Sequence, residues 1–262
     1  MTDPIATRTT VATLDPVQRA EAFAMIYQGY MRPLTMNAAQ LASHIASHDV
    51  ELAGSPLWLD GDGQLIGLGL VGHRAQRAWI GGFGIAPDWR GRGLALPLVD
   101  ACLDGARAAG ASEIELEVLV GNDKAVRTYE RAGFRETGRL SGLQGAIAPA
   151  ATTAQPVDPA TLLDRPLRPT CWQRERASLA RTAGLAAVTL EDTFLLFTRA
   201  DDAIAIRHLA AACTTEIAAL LAATGGRTAT LVNEPADSPV ATCLTELGFE
   251  PFVGQHQMRM AL

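Results

Sequence analysis

A chain of 262 residues with 48% hydrophobic content is long enough to form two domains, each with its own core. Its net charge of -6 argues against general nucleic-acid binding, because no basic stripe occurs outside one short arginine-containing loop. No apolar stretch is long enough to span a bilayer, and residues 1–10 lack the apolar run of a signal peptide. We therefore expect a cytoplasmic protein with no membrane or nucleic-acid partner.

The first elements in chain order are two amphipathic helices and an antiparallel meander. Apolar residues at helical spacing predict helices at about 16–28 and 37–47. Strands at 57–59 and 64–71 flank an Asp-Gly-Asp-Gly turn, which favours a hairpin. The next strand, 79–85, contains three glycines, which indicate a bulge or the close approach of another backbone.

The most informative segment joins this glycine-rich strand to the following helix. It reads Gly84-Ile85-Ala86-Pro87-Asp88-Trp89-Arg90-Gly91-Arg92-Gly93-Leu94-Ala95. Such a turn directs backbone N–H groups and the partial positive charge of a helix start at one point, which suits a pyrophosphate. The glycines let the backbone approach a bulky anion, and Arg90 and Arg92 are expected to reach further phosphate oxygens.

Two familiar phosphate loops do not fit this segment. A nucleotide triphosphatase loop needs Lys and then Ser or Thr after its last glycine, where Leu94 and Ala95 stand. A dinucleotide loop needs a third glycine, but Gly91 and Gly93 are followed by Leu96. The segment is therefore a different kind of anion-binding turn.

Downstream, the pattern predicts a β-α-β-α-β unit. A helix runs from the loop to Gly110, and polar and apolar residues then alternate over 113–120 as in a strand. A short helix follows at 123–132, with Gly133 as its left-handed cap and Phe134 starting another strand.

Two motifs in this unit resemble the signatures of the GNAT acyltransferase superfamily. The first is Arg90-x-x-Gly93-x-Ala95, similar to that family's coenzyme A loop. The second is Leu116-Glu117-Val118, then Asn122, Ala125, Tyr129-Glu130 and Gly133-Phe134. The nearest local likeness is to the branch that acetylates protein N-terminal amines, and it covers about residues 10–140. The resemblance implies an α/β fold with the mixed sheet of that superfamily.

The resemblance also implies roles for individual residues. It assigns acetyl-coenzyme A to Gly84, Ile85, Arg90, Gly91, Arg92, Gly93, Leu94, Ala95, Asn122 and Tyr129, with the N–H of Gly84 or Ile85 polarising the thioester. Tyr129 would be the general acid that protonates the departing sulfur, and Glu117 a possible general base. Asn122 would bond the pantetheine or cap its helix. Tyr30 is a candidate acceptor contact, whereas Tyr27 is expected to pack in the core.

No metal site is expected. His44 and His48 lie four residues apart on a predicted helix but have no third ligand in a motif, so we interpret them as a solvated helix face. The four cysteines show no C-x-x-C spacing and are expected to be buried thiols.

The second half reads as a diverged copy of the first. Residues 1–142 are predicted as the catalytic domain, 143–168 as an Ala/Pro-rich linker and 169–262 as a degenerate domain of the same type, giving a tandem arrangement. A hairpin, helix, strand and helix recur, but Leu244 stands where Tyr129 does and no arginine-glycine loop precedes the helix at 214. This half is expected to hold no coenzyme A.

The sequence thus predicts an N-acetyltransferase that passes an acetyl group directly from acetyl-coenzyme A to a primary amine, on a small molecule or a peptide N-terminus. A catalytically silent coenzyme A-binding regulatory or interaction module is the alternative, since a phosphate loop predicts binding and not turnover. A homodimer is a further possible arrangement.

Overall fold

The computed structural model describes residues 5–32, 34–168, 171–211 and 213–262. The chain divides into two compact units, Met1–Thr137 with Gln257–Leu262, and Gly138–His256. Each unit combines helices with a mixed sheet, which confirms the predicted α/β class. Within the described ranges no helix is both long and apolar enough to cross a bilayer.

Among the described residues of the first unit, five complete strands and four α-helices precede β6. Their bounds are β1 Thr7–Thr10, α1 Pro16–Tyr27, α2 Ala38–Ser47, β2 Pro56–Leu59, β3 Leu65–Arg74, β4 Arg77–Ile85, α3 Ala95–Ala108, β5 Glu113–Leu119 and α4 Asp123–Ala132. All the elements predicted here are confirmed, and β1 is an addition that pairs antiparallel with β2.

The helix ends follow from local sequence. Asp15 caps α1 and Asn37 caps α2, each in a capping box with a glutamine three residues later. Asn122 caps α4 by accepting the Ala125 N–H, and Gly133 ends that helix at φ 107. Only glycine adopts this backbone region without strain, so the chain turns here into the next strand.

The first sheet opens between β4 and β5. These parallel strands pair only from Arg77–Ile80 against Glu113–Leu116, and the described register ends there although both strands continue. Gly81 is an extra residue in β4, since Leu70 pairs with Gly82 and Val71 with Ile80. A bulge bends a strand away from its neighbour. We call the space between Gly81–Ile85 and Glu117–Leu119 the β4–β5 gap.

The two faces of β5 differ in chemistry. Ile114, Leu116 and Val118 enter a core shared with α3, α4 and Tyr129. Successive strand residues alternate, so Glu113, Glu115 and Glu117 lie on the opposite face. Glu115 is buried, and its carboxylate accepts a hydrogen bond at 3.1 Å from Arg259, which lies near the end of β12.

The second unit repeats the order of the first. After β6 Arg135–Ala146 its elements are β7 Gln155–Val157, α5 Pro159–Leu163, α6 Arg176–Leu179, β8 Ala186–Leu190, β9 Thr193–Ala200, β10 Ala203–Ala210, α7 Thr214–Ala223, β11 Thr228–Pro235, α8 Pro239–Glu246 and β12 Glu250–Ala261. β10 and β11 are parallel over Ala203–Ile206 and Thr228–Leu231, and Arg207 is a bulge residue as Gly81 is in β4.

The structure differs from the predicted domain limits in two places. The proposed linker 143–168 contains the end of β6, strand β7 and helix α5, whose proline and aspartate start it rather than break it. Residues 257–262 belong to the first unit, where the N–H of Leu262 bonds the carbonyl of Ser112. The predicted start of the second domain, 169–170, lies outside the described residues.

Candidate functional site

The glycine loop has the backbone geometry that the sequence predicts. Gly91 and Gly93 have φ values of 77° and 80°, and a Cβ added at either would meet nothing within 4 Å. Helix α3 follows at Ala95, and its N-cap Leu94 makes no side-chain capping bond. The first N–H groups of a helix have no intrahelical partner, so this loop presents donors toward an open surface.

The two arginines of the loop have different surroundings. Arg90 donates from Nε to the Ile85 carbonyl at 3.0 Å and from Nη2 to the Ile26 carbonyl at 3.1 Å. Its side chain therefore braces the loop against β4 and α1, instead of reaching outward as expected from the sequence. Arg92 lies 4.6 Å above the Trp89 ring and is exposed, so its guanidinium remains at the loop surface.

The end of β4 brings backbone donors to the gap. The N–H of Phe83 points away from β3, because it donates to the Tyr27 hydroxyl at 3.4 Å, and the N–H of Ala86 points toward β3, bonding Ile66. Alternation then directs the N–H of Ile85 into the gap and that of Gly84 toward β3. Of the two predicted thioester donors, this geometry favours Ile85. Gly84 instead permits close packing, since its Cβ would lie 2.9 Å from Ile26.

Tyr129 is buried at the gap on the α3–α4 side. It is 7% exposed, and its ring packs 5.8 Å from both Phe83 and Phe134. Burial, reinforced by neighbouring Tyr27 and Tyr30, raises the pKa of Tyr129 well above its ordinary value. The phenol therefore keeps its proton at neutral pH and can donate it.

All three tyrosines of the chain meet at this gap. Tyr30 accepts a hydrogen bond from Asn122 Nδ2 at 3.1 Å, and its ring lies 5.2 Å from that of Tyr27. Tyr27, predicted as a packing residue, does pack on Phe23, but its hydroxyl also bonds the exposed edge of β4. Asn122 caps α4 and positions Tyr30 at the same time.

This clustering predicts a distinctive alkaline titration. Burial raises the pKa of Tyr27 to about 12 and also raises the pKa of Tyr30 and Tyr129. Neutral tyrosines stabilise the fold below their unfolded pKa of about 10, and that stabilisation is lost as pH rises through the folded values. We expect ultraviolet titration to show little tyrosinate below pH 10 and a fall in stability between about 10 and 12. Ordinary ionisation of all three near pH 10 in the folded chain would contradict the cluster.

Glu117 is held on the other face of the sheet. Its Oε2 accepts from the Trp79 indole at 2.8 Å. Trp79 is 1% exposed, and its ring lies across Gly81, where an added Cβ would overlap it. The bulge glycine thus makes room for the indole that fixes Glu117 at the mouth of the gap.

His44 and His48 are not a solvated helix face, which corrects the interpretation from sequence. Both are half-buried, with ring centroids 4.7 Å apart and 6.0 and 5.5 Å from Trp79. The spacing of four residues was the signal, but the sequence does not show that α2 faces Trp79. Within the described chain, no group of three His, Cys, Asp or Glu side chains is placed to hold a metal.

A cavity of about 570 Å³ adjoins the tyrosines on the α1 side. It is lined by Glu21, Ala24, Met25, Tyr27, Gln28, Gly29, Tyr30, Leu34 and Thr35. Its walls are mostly apolar, and Glu21 is the charged member of the described lining. Tyr30 therefore stands between this cavity and Asn122 at the gap.

The corresponding place in the second unit is filled by a side chain of that unit. Arg174 donates from Nε to the Arg207 carbonyl at 3.0 Å on β10 and from Nη1 to the Asn233 carbonyl at 3.2 Å on β11. It also pairs with Glu234, which is 1% exposed and accepts from Arg168 at 2.9 Å. The guanidinium thus bridges the two strands where their pairing ends. Leu244, at the position of Tyr129, is fully buried in the core.

Comparison with known proteins finds, in the first unit, the family resemblance that the sequence motifs indicate. Residues 22–134 match the acetyltransferase (GNAT) family. N-alpha-acetyltransferase 30 of Schizosaccharomyces pombe is 42% identical over 70 residues, 26% of this chain and 47% of that protein. Streptothricin acetyltransferase of Streptomyces lavendulae is 38% identical over 89 residues, 33% of this chain and 47% of that protein. The matches therefore span less than half of each of these relatives.

Solved structures extend the likeness to the fold of nearly the whole chain. A GCN5-related N-acetyltransferase from Sphaerobacter thermophilus superposes with a TM-score of 0.71 at 13% identity, covering 97% of this chain and 95% of that one. A tandem GNAT protein from the clavulanic acid biosynthesis pathway gives 0.67 at 11% identity, covering 97% and 98%. At such identities the likeness concerns the fold alone.

Proposed function

We propose that this chain, whose residues 22–134 match the GNAT acetyltransferase family, transfers an acetyl group from acetyl-coenzyme A directly to a primary amine. The observation that carries the proposal is the β4–β5 gap, which opens beside the glycine loop and lies between Tyr129 and Glu117. Groups on opposite faces of a sheet can act on one reacting centre only where the strands separate. The acceptor class, a small molecule or a peptide N-terminus, is part of the proposal.

The residues present fit the donor. Acetyl-coenzyme A supplies the acyl group as a thioester. The open N–H groups of the loop from Gly91 to Ala95 suit its pyrophosphate, and the unpaired edge of β4 suits an extended pantetheine chain. The proposed phosphate donors are backbone N–H groups, because the side chain of Arg90 already bonds the carbonyls of Ile85 and Ile26.

Each residue has one task in the proposed reaction. Glu117 takes a proton from the acceptor ammonium, the Ile85 N–H stabilises negative charge on the carbonyl oxygen, and Tyr129 donates a proton to the departing sulfur. A C–N bond forms and the C–S bond breaks. The ammonium nitrogen loses two protons in all. One is matched by the proton gained by the sulfur in the thiol product, and the other is released to solvent. The second unit would have no part in these steps, and a cytoplasmic location and a homodimer stay predictions.

Binding of the donor is tested by placing a side chain in the loop. Gly93→Asp adds a strained backbone and a negative charge at the phosphate seat, and we expect affinity for acetyl-coenzyme A to fall at least about 100-fold by calorimetry. Gly110→Asp is the matched control, because Gly110 also has a positive φ of 86° and open surroundings but lies at the other end of α3. The control should lose comparable stability and keep its affinity.

Turnover is tested by release of coenzyme A from acetyl-coenzyme A with a panel of amines. The panel comprises tetrapeptides with free Ala or Met N-termini, streptothricin and an aliphatic diamine. Amine-dependent release supports the proposal. Tight donor binding without turnover on any amine would instead favour the silent binding module, and a folded chain that binds no acetyl-coenzyme A would overturn both.

A further inference from the structure

His44 carries a buried nitrogen that no element of the fold uses. Its Nε2 has no hydrogen-bond partner in the described part of the chain. A buried polar atom without a partner destabilises the fold, so such an atom calls for a physical reason. The His44 ring also contacts Trp79, and the Trp79 indole in turn holds Glu117 by a hydrogen bond.

The protonation state of this ring follows from its surroundings. Burial lowers the pKa of His44 to about 4, although a hydrogen bond to the Gly81 backbone opposes the shift. The ring is therefore neutral at physiological pH, with one nitrogen donating and one accepting. A backbone contact that favours the protonated form is one in which the ring donates. The nitrogen that remains, Nε2, then carries the lone pair.

We propose that His44 Nε2 accepts an N–H of the acceptor amine, holding it beside Glu117 at the mouth of the β4–β5 gap. The inference rests on the proposed function and adds to it an acceptor-binding residue. A primary amine keeps N–H groups after Glu117 has taken a proton, and a neutral imidazole can accept one without adding positive charge. Helix α2 supplies His44, whose ring bonds the Gly81 backbone, and Trp79 orients Glu117.

His73 provides a matched control. Its Nε2 is also buried without a partner in the described chain. It pairs across the sheet with Ala78, whose side chain enters the α3 core, so His73 lies on the face opposite Trp79. A buried imidazole nitrogen alone does not define the site; His44 differs from His73 in its contact with Trp79, whose indole holds Glu117.

The test compares His44→Leu, His44→Gln and His73→Leu with the parent chain. The substrate is whichever panel amine shows the highest kcat/KM. We expect His44→Leu to raise the amine KM at least about ten-fold, with the KM for acetyl-coenzyme A unchanged. His44→Gln returns an acceptor oxygen near Nε2 and should recover part of the loss. His73→Leu should match the parent.

Binding gives a readout apart from turnover. Calorimetry of the same amine against protein saturated with coenzyme A should show the same weakening in His44→Leu. Thermal unfolding should show little net change in stability, because this variant removes an unpartnered polar atom but also loses the hydrogen bond of the ring to the Gly81 backbone. An unchanged amine KM in folded His44→Leu, or an equal rise of KM in His73→Leu, would overturn the role of His44 and leave the proposed function standing. Absence of turnover by the parent chain with every amine would overturn the proposed function and this inference together.

Discussion

Replacement of Tyr129 by Phe is expected to lower kcat by about 100-fold to 1000-fold while leaving acetyl-coenzyme A affinity near that of the parent chain. The ring contacts with Phe83 and Phe134 survive the change, so the fold and the wall of the gap should persist. Only the proton-carrying hydroxyl is lost. Because burial raises the pKa of Tyr129, that hydroxyl is protonated throughout the physiological range.

Tyr27→Phe is the matched comparison for this experiment. Tyr27 is also buried with a raised pKa, but its hydroxyl accepts the Phe83 N–H, so we assign it to bracing β4. Its loss should lower kcat less than about ten-fold, in line with one modest hydrogen bond. Steady-state kinetics and calorimetry of both variants decide the matter. If Tyr129→Phe keeps full kcat, the general acid is water or another group.

Replacement of Arg174 by Met is expected to destabilise the folded chain by about 3–5 kcal/mol. The change leaves Glu234 buried with an exposed arginine beside it, since the Arg168 side chain is 54% exposed while that of Glu234 is 1% exposed. It also removes the donors that bond the carbonyls of Arg207 and Asn233. Breaking a buried ion pair from one side costs more than the pair itself contributes.

Two further variants separate the causes. Arg168→Met removes only the exposed partner and should cost at most about 1 kcal/mol. Arg174→Met combined with Glu234→Met removes both buried charges and should recover much of the loss, as well-packed apolar replacements of buried pairs do. Denaturant unfolding of the three proteins measures these differences. Equal losses of unfolding free energy in Arg174→Met and Arg168→Met would show that Arg174 does not bridge β10 and β11 as a buried ion-pair partner.

Many local features of this protein are determined by its sequence. The bounds of α1 and α2 follow from caps at Asp15 and Asn37, and the end of α4 follows from Gly133. The glycine loop and the repeated order of elements in the second half are likewise readable, because each depends on residues close together in the chain. The positive φ at Gly91 and Gly93 is such a case. Helix periodicity, caps and turns are decided by near neighbours.

The position of each side chain relative to distant elements was decided only by the tertiary structure. The spacing of His44 and His48 is the same as that of a solvated pair on a helix. Packing of α2 nevertheless places both rings against Trp79, whose indole holds Glu117. Arg90 has the spacing of a phosphate ligand, but its guanidinium bonds the carbonyl of Ile26 on α1. Arg174 bridges strands whose partnership has no local signal. These contacts join residues tens of positions apart, so their existence depends on which faces the folded elements bury together.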